Sequence, residues 1–495
     1  MLVFEINQDL MGILTKLSPI CTYPESKAYL VGGFVRDWLV GRSTTDLDIA
    51  VSGDSLAVAQ EAAELVDGRY VMLDEDNKVG RVVVAGELQP WHIDITSYEG
   101  DIEHDLLRRD FTVNAMALDL AAFVAGDIKL LDPAGGDDDL KKGLLRQVTD
   151  RIFDADPSRL MRAERLSREL NLEIEPVTEQ SIRLNSVLVT SVPSEKIREE
   201  LLKILALPYA SNALRHLDDL GLLCRIIPEI GEMKGVKQPG EHYWDVFDHS
   251  LESVAAVEFL LRDSDWVYGR GELRAFVPWS DEIDQHFKEE ISGGVTRSTL
   301  IKIGALLHDI SKPGTKTQDE NGRIRFLGHT KEGASLAVSI LERLRFSGKE
   351  IRYIEMLVYH HLHPAQMSNE GFATHRAIYR YFRDTEGAGI DVIFLALADY
   401  LAVGGPRLDI DEWHMHIEHI QYIMNVHKKQ ESEIMPLRLI TGNDLMQEFK
   451  LAPGKDIGRL LEMVREAQAA GEIHTREEAL QYVRNDFGMG ACCAA

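Results

Sequence analysis

The stretch Leu30-Val31-Gly32-Gly33-Phe34-Val35-Arg36-Asp37, followed by Asp46-Leu47-Asp48-Ile49-Ala50, decides how the chain is read. A β-rich run, Ala28–Val31, enters two adjacent glycines and then a helical pattern. Glycine accepts positive φ and permits close backbone approach. The free N–H groups of a following helix attract phosphate. Thirteen residues beyond Gly33, Asp46 and Asp48 alternate with Leu47 and Ile49. On a strand, positions i and i+2 share a face, so both carboxylates point one way and the apolar pair points into a core. Neighbouring carboxylates repel unless a cation lies between them. Mg²⁺, bound through one or two carboxylates and substrate phosphates, suits such a pair. Asp94, alternating in His92-Ile93-Asp94-Ile95, is a candidate third carboxylate. The glycines lack the G-x-G-x-x-G spacing of dinucleotide binders, and the chain has no G-x-x-x-x-G-K-[ST] loop.

Outward from this segment, Leu47–Val51, Gly80–Ala85 and Trp91–Thr96 read as further strands among helical stretches. Beyond about Asp150 the periodicity is helical to the end, with boundaries at Pro176, Pro193, Pro208, Pro228, Pro313, Pro364, Pro406 and Pro436. The acidic run Gly135–Asp139 and the polar run Asp263–Gly294 read as surface connections. The fold class is therefore α+β: a small mixed α/β head and a long helical body.

The 495 residues carry 54 Lys and Arg against 81 Asp and Glu, a net charge of −27. That excludes indiscriminate nucleic-acid binding and confines any RNA contact to one basic face. Hydrophobic content of 45% excludes a disordered chain. The most apolar run, Val392–Val403, is shorter than the ~20 residues of a membrane span, and Asp399 interrupts it. No membrane partner is expected. Met1–Glu5 has no basic segment before an apolar one, and Cys21, Cys224, Cys492 and Cys493 form no C-x-x-C pair. Both features predict a cytoplasmic protein.

The glycine turn and Asp46-Leu47-Asp48 together resemble the signature of class II tRNA nucleotidyltransferases (the CCA-adding enzymes) and bacterial poly(A) polymerases. Arg108-Arg109-Asp110-Phe111-Thr112-Val113-Asn114 resembles the family's second motif, and Asp156-Pro157-Ser158-Arg159-Leu160-Met161-Arg162 resembles its base-reading motif. Phe326–Ala334 resembles its HD-type domain, and Thr441–Leu445 with Pro453-Gly454 resembles its tail. The resemblance implies four parts: a nucleotidyltransferase head (1–150), a base-reading and RNA-binding neck (151–235), an HD-type phosphohydrolase domain (236–410) and a helical tail (411–495). It implies Mg²⁺ ions on Asp46 and Asp48, and a nucleotide held by Gly32, Gly33, Arg36, Arg109, Asp110, Asn114, Asp156, Arg159 and Arg162. The partners would be the tRNA 3′ end with CTP and ATP. The oligomeric state is not expressed in the sequence.

Asp156 and Arg159, three apart on a helix, set a carboxylate acceptor beside a guanidinium donor. Cytosine and adenine both offer an amine beside a ring-nitrogen acceptor, whereas uracil and guanine offer the reverse. Arg165 and Arg168 drift off that face at 3.6 residues per turn and read as structural. The family usually has Glu where this chain has Ala155, which removes a support for Arg159. Only twelve residues, Thr96–Leu107, precede Arg108 after the strand of Asp94. CCA-adding members carry a longer mobile loop there and the CC-adding branch a shortened one, so the resemblance implies addition of C and leaves the final A open between the two branches.

A second constellation is His249, His308-Asp309, His329, His360-His361 and Asp399. Its order resembles the ligand set of HD-type metal phosphohydrolases, implying one or two divalent transition metals. A rival reading follows: a phosphohydrolase whose head only binds nucleotide or RNA. The intact Asp46/Asp48 pair and Arg109-Asp110 favour transferase chemistry. A poly(A) polymerase is the third reading, and the mixed-charge tail Glu448–Asn485 weighs against it.

Overall fold

Leu47 and Ile49 are fully buried in the strand they share with Asp46 and Asp48, so hydrophobic burial fixes which way both carboxylates point. The computed structural model describes residues 8–21, 27–75, 78–86, 89–240, 242–367, 371–434 and 438–492. Met1–Glu5 and Cys493 lie outside the described residues. Backbone packing separates two units, Met1–Glu200 with His216–Ile226, and Leu201–Arg215 with Ile227–Ala495.

The first unit is built on a seven-stranded mixed sheet. Its strands are β1 (Ala28–Val31), β2 (Asp46–Val51), β3 (Arg69–Asp74), β4 (Val79–Val84), β5 (Trp91–Ser97), β6 (Ala117–Asp119) and β7 (Leu130–Leu131). They lie in the order β3-β4-β5-β2-β1-β6-β7. β2 and β5 run parallel; the other neighbours are antiparallel. One face packs Leu30, Leu47, Ile49, Ile93 and Ile95 against Leu14, Leu17, Phe34 and Trp38 from helices. The other face presents Tyr29, Val31 and Ala50, which Tyr98, Ile102 and Leu106 cover. Strands β3, β6 and β7 were not foreseen, because they are short or poorly alternating.

The run Gly135–Asp139 is not a surface connection. The helix Gly136–Lys142 buries Asp139, which accepts from Thr112 Oγ1 at 2.8 Å and pairs with Arg146 at 3.0 Å. Asp263–Gly294 likewise contains the helices Gly271–Ala275 and Asp281–Lys288, anchored by buried Leu273, Ile283 and Phe287. The helical periodicity beyond Asp150 is interrupted by two small hairpins, Glu290–Ser292 with Val295–Thr296 and Lys316–Gln318 with Ile324–Phe326.

In the second unit the helices Val246–Leu260, Arg297–Leu307, Gly348–His360 and Gly389–Gly404 pack together. Buried Asp391, on the last of these, ties two of the others and one neighbouring helix to one point, accepting from Tyr353 Oη at 2.6 Å and Arg297 Nη1 at 2.9 Å and bonding His286 Nε2 at 2.9 Å. Among the described residues, Gly389–Arg407 is the stretch long and apolar enough to cross a membrane by length and composition. In this fold 67% of it is buried within the protein. The tail helices Gly442–Phe449, Lys455–Ala469 and Arg476–Cys492 enclose a core of their own around Leu445, Leu460 and Val483.

Candidate active sites

The β2–β5 register sets Asp48 opposite Asp94 and Asp46 opposite His92. Asp46 is 74% exposed and lies 3.4 Å from His92 Nδ1. Asp48 sits deeper. Burial raises its carboxyl to about 6, Arg109 opposes that rise, and Asp94 and Asp46 add to it. Gly32 explains the crowding: its φ is +66°, and a Cβ there would lie 3.0 Å from Arg109 Nη1 and 3.1 Å from Asp48 Oδ2. The glycine turn thus brings backbone against both groups. Arg109 is steadied by Asp105 at 3.3 Å. Asp94 is held by Arg81, with bonds of 2.7 and 2.8 Å to its two oxygens.

Beside these groups a cavity of about 310 Å³ is lined by Arg109, Asp110, Asp156, Ser158, Arg159, Arg162 and Glu200. Arg36 and Asn114 do not line it. Arg36 is buried, pairs with Asp37 at 2.8 Å and donates to Asn114 Oδ1 at 2.7 Å. Asn114 Nδ2 donates to Asp110 Oδ1 at 3.1 Å, and Arg162 Nε donates to Asp110 Oδ2 at 2.7 Å. Burial opposes the Asp110 charge, but Arg162 and the Phe111 N–H hold its carboxyl below the usual range. Arg36 and Asn114 are thus linked in a hydrogen-bonded chain that ends on Asp110.

The helix Arg159–Leu170 sends Arg162 to Asp110, while Arg165 pairs with Glu200 at 2.7 Å and Arg168 with buried Glu164 at 2.7 Å. Arg159 Nη1 donates to the Ile152 carbonyl at 3.4 Å and its Nη2 to the Arg108 carbonyl at 3.3 Å. Main-chain oxygens therefore steady Arg159 where Ala155 cannot. Ser158 and Glu200 were missed. Ser158 lay within the quoted motif, but Glu200 gave no local signal, since it arrives from a separate helix, Ser194–Ala206.

The segment Thr96–Leu107 is not a free loop. β5 runs to Ser97, the side chain of Asp101 accepts from Glu103 N to cap the helix Ile102–Leu106, and Leu106 is 0% exposed.

In the second unit five stretches of chain bring His249, His308, Asp309, His329, His361 and Asp399 together. His249 Nε2 lies 2.9 Å from Asp399 Oδ1 and 3.2 Å from His308 Nε2, and His329 Nε2 is 3.5 Å from Asp309 Oδ1. The Nδ1 atoms of His308, His329 and His361 lie 2.8, 2.7 and 2.7 Å from backbone carbonyls of Ala305, Phe326 and Val358. Those bonds leave each Nε2 facing the centre, as ligand histidines are ordinarily oriented. His329 Nε2 and Asp309 Oδ1 are buried without a hydrogen-bond partner, whereas Asp309 Oδ2 is ion-paired. Burial lowers His361 to about 3, whereas Asp309 and Asp399 draw His308 up to about 10 against its burial.

His360 is not in this cluster. One residue of helix rotation turns it away, and its Nδ1 lies 2.9 Å from His363 Nδ1. Lys312 and His242 had been missed. Lys312, one turn after Asp309, reaches within 2.5 Å of Asp309 Oδ2, and His242 packs against His249 at 5.6 Å between ring centroids. Both line an adjoining cavity of about 480 Å³.

Residues 28–146 match the poly A polymerase head domain, residues 171–233 a probable RNA- and SrmB-binding site of polymerase A, and residues 324–483 a putative tRNA nucleotidyltransferase domain 2. An A-adding tRNA nucleotidyltransferase of Deinococcus radiodurans is 32% identical over 94% of this chain and 96% of its own. A CC-adding tRNA nucleotidyltransferase of Thermus thermophilus is 30% identical over 93% of this chain and 94% of its own. The fold matches that of a Thermotoga maritima CCA-adding enzyme solved with tRNA, with a TM-score of 0.62, 22% identity and coverage of 97% and 96% of the two chains. With relatives of this similarity along nearly its whole length, the chain belongs to the tRNA nucleotidyltransferase family that shares the poly(A) polymerase head.

Proposed function

We propose that the protein extends the 3′ end of tRNA from nucleoside triphosphates, and that its addition is of cytidine. Asp46 and Asp48 would hold Mg²⁺: their hard oxygens and the raised Asp48 carboxyl are what a divalent cation relieves. When bound, such ions sharpen the 3′-hydroxyl as nucleophile and offset charge on the departing pyrophosphate. Gly32 and Gly33 would let the triphosphate approach the backbone. Arg109 and Arg162 would supply cationic charge beside it, with Asp105 and Asp110 fixing their directions. Asp156 and Arg159 would read the base edge. The work of the chain is then positioning and electrostatics.

One observation carries the single-base reading, and the shortened segment that resembles the CC-adding branch favours cytidine as that base. Alternation between C and A at one site needs a mobile lever, and levers come from poorly packed segments. Tyr98, Ile102 and Leu106 instead pin Thr96–Leu107 against the sheet. The similarity to the Deinococcus radiodurans enzyme favours a second reading, addition of adenosine alone. Purified protein with labelled CTP or ATP, and tRNA ending at the discriminator base or at CC, separates them. Two cytidines added to the shorter tRNA, with no adenosine on the longer, is the expected result. Full CCA completion at comparable rates overturns the single-base reading.

The second site we read as a phosphohydrolase centre for one or two divalent transition metals held by His249, His308, Asp309, His329, His361 and Asp399. Its orphaned buried donors and mixed imidazole–carboxylate set suit that class of ion. The four-part division of the chain and a cytoplasmic location go with this reading.

A further inference from the structure

Ser158 stands at the N-cap of the helix Arg159–Leu170, yet its side chain makes no capping bond to that helix. Serine at this position ordinarily accepts from a first-turn N–H. Here the hydroxyl turns back and donates to Asp156 Oδ1 at 2.6 Å, and the Ser158 N–H donates to the same oxygen at 3.0 Å. Pro157 between them restricts the backbone. Asp156 Oδ1 is thus doubly engaged, and Oδ2 takes no part in either bond. Arg159 is steadied separately by the carbonyls of Ile152 and Arg108. Both members of the base-reading pair are tied to main chain, and Ser158 lines the cavity beside them.

We propose that Ser158 is a positioning residue that locks the Asp156 carboxylate in one orientation and thereby commits the pocket to a single base. The proposal rests on the reading of Asp156 as the group that meets the base. Cytosine and adenine place their amine and ring acceptor at different distances from the sugar. Serving both requires the carboxyl group to move, and two hydrogen bonds to one of its oxygens resist that movement. A hydroxyl does what a larger hinge would undo: it makes the site rigid where a dual-specificity site must give.

The test uses the full-length protein and single-nucleotide incorporation on tRNA ending at the discriminator base and at CC, with kcat and KM for CTP, ATP and UTP. Ser158→Ala is expected to shrink the ratio of kcat/KM between CTP and ATP at least tenfold, mainly through faster ATP use. Ser158→Thr keeps the hydroxyl and is expected to hold the parent ratio. Thermal melting of each variant records any loss of fold, and Ser158→Gly serves if the alanine variant does not fold. An unchanged ratio in Ser158→Ala, or an equal change in Ser158→Thr, overturns the lock. Asp156→Asn judges the underlying reading: undiminished exclusion of UTP in that variant removes Asp156 from base recognition, whatever Ser158 does. A parent protein that prefers ATP overturns the choice of cytidine, and the lock is then judged by whether Ser158→Ala narrows that preference.

Discussion

Asp48 and Asp94 face each other across the parallel β2–β5 pair, but only Asp94 has an arginine clamped on both oxygens. Two carboxylates in equivalent register therefore carry different electrostatics. Arg81 neutralises one, and the other is left raised to about 6 for a cation to satisfy. Asp48→Asn and Asp46→Ala should each lower nucleotide addition by about 10²–10³-fold or more, measured as kcat/KM for CTP. Asp94→Asn should cost less, because its charge is already paired.

The same asymmetry predicts a gain in stability. Asp48 ionises at about 6 in the folded chain against 3.8 ordinarily, so the folded state holds its proton longer. Below pH 3.8 both states are protonated and the ionised carboxylate imposes no penalty. The penalty grows between those values and is complete above about 6. Asp48→Asn should stabilise the chelator-treated protein at pH 7 by about 1–2 kcal/mol, allowing for partial solvent screening. Denaturant titrations at pH 4 and pH 7 should show that gain reduced to a small fraction at the lower value.

Leu106→Ala tests whether Thr96–Leu107 is packed. A fully buried leucine replaced by alanine costs about 2–5 kcal/mol, whereas the same change in a mobile loop costs almost nothing. Urea denaturation gives the answer directly.

At the second site, His361→Ala should lose bound transition metal, while His360→Ala should retain it, because only His361 reaches the cluster. His308→Ala with Asp309→Ala should empty the site and spare nucleotide addition. Elemental analysis after purification without chelators measures the metal, and absence of metal in the parent protein would reduce the cluster to a scaffold.

Ala155→Glu should change the CTP-to-ATP preference less than about threefold. Main-chain carbonyls already hold Arg159, so a new carboxylate adds little to a guanidinium whose orientation is set.

The sequence by itself determined the face of β2 that carries Asp46 and Asp48, because two-residue alternation and the burial of Leu47 and Ile49 leave no other choice. It also determined that a glycine precedes a helix beside them, and that histidines and aspartates recur along the body in a metal-binding order. Those are local or one-dimensional facts, set by side-chain period and residue chemistry. Tertiary structure alone decided what each carboxylate meets. Arg81 reaches Asp94 from a neighbouring strand, Glu200 enters the cavity from a helix remote in sequence, and Arg36 and Asn114 join a hydrogen-bonded chain to Asp110. It decided equally that His361 joins the histidine–aspartate cluster while His360 turns to His363, since adjacent helical residues point about 100° apart and only packing chooses between them.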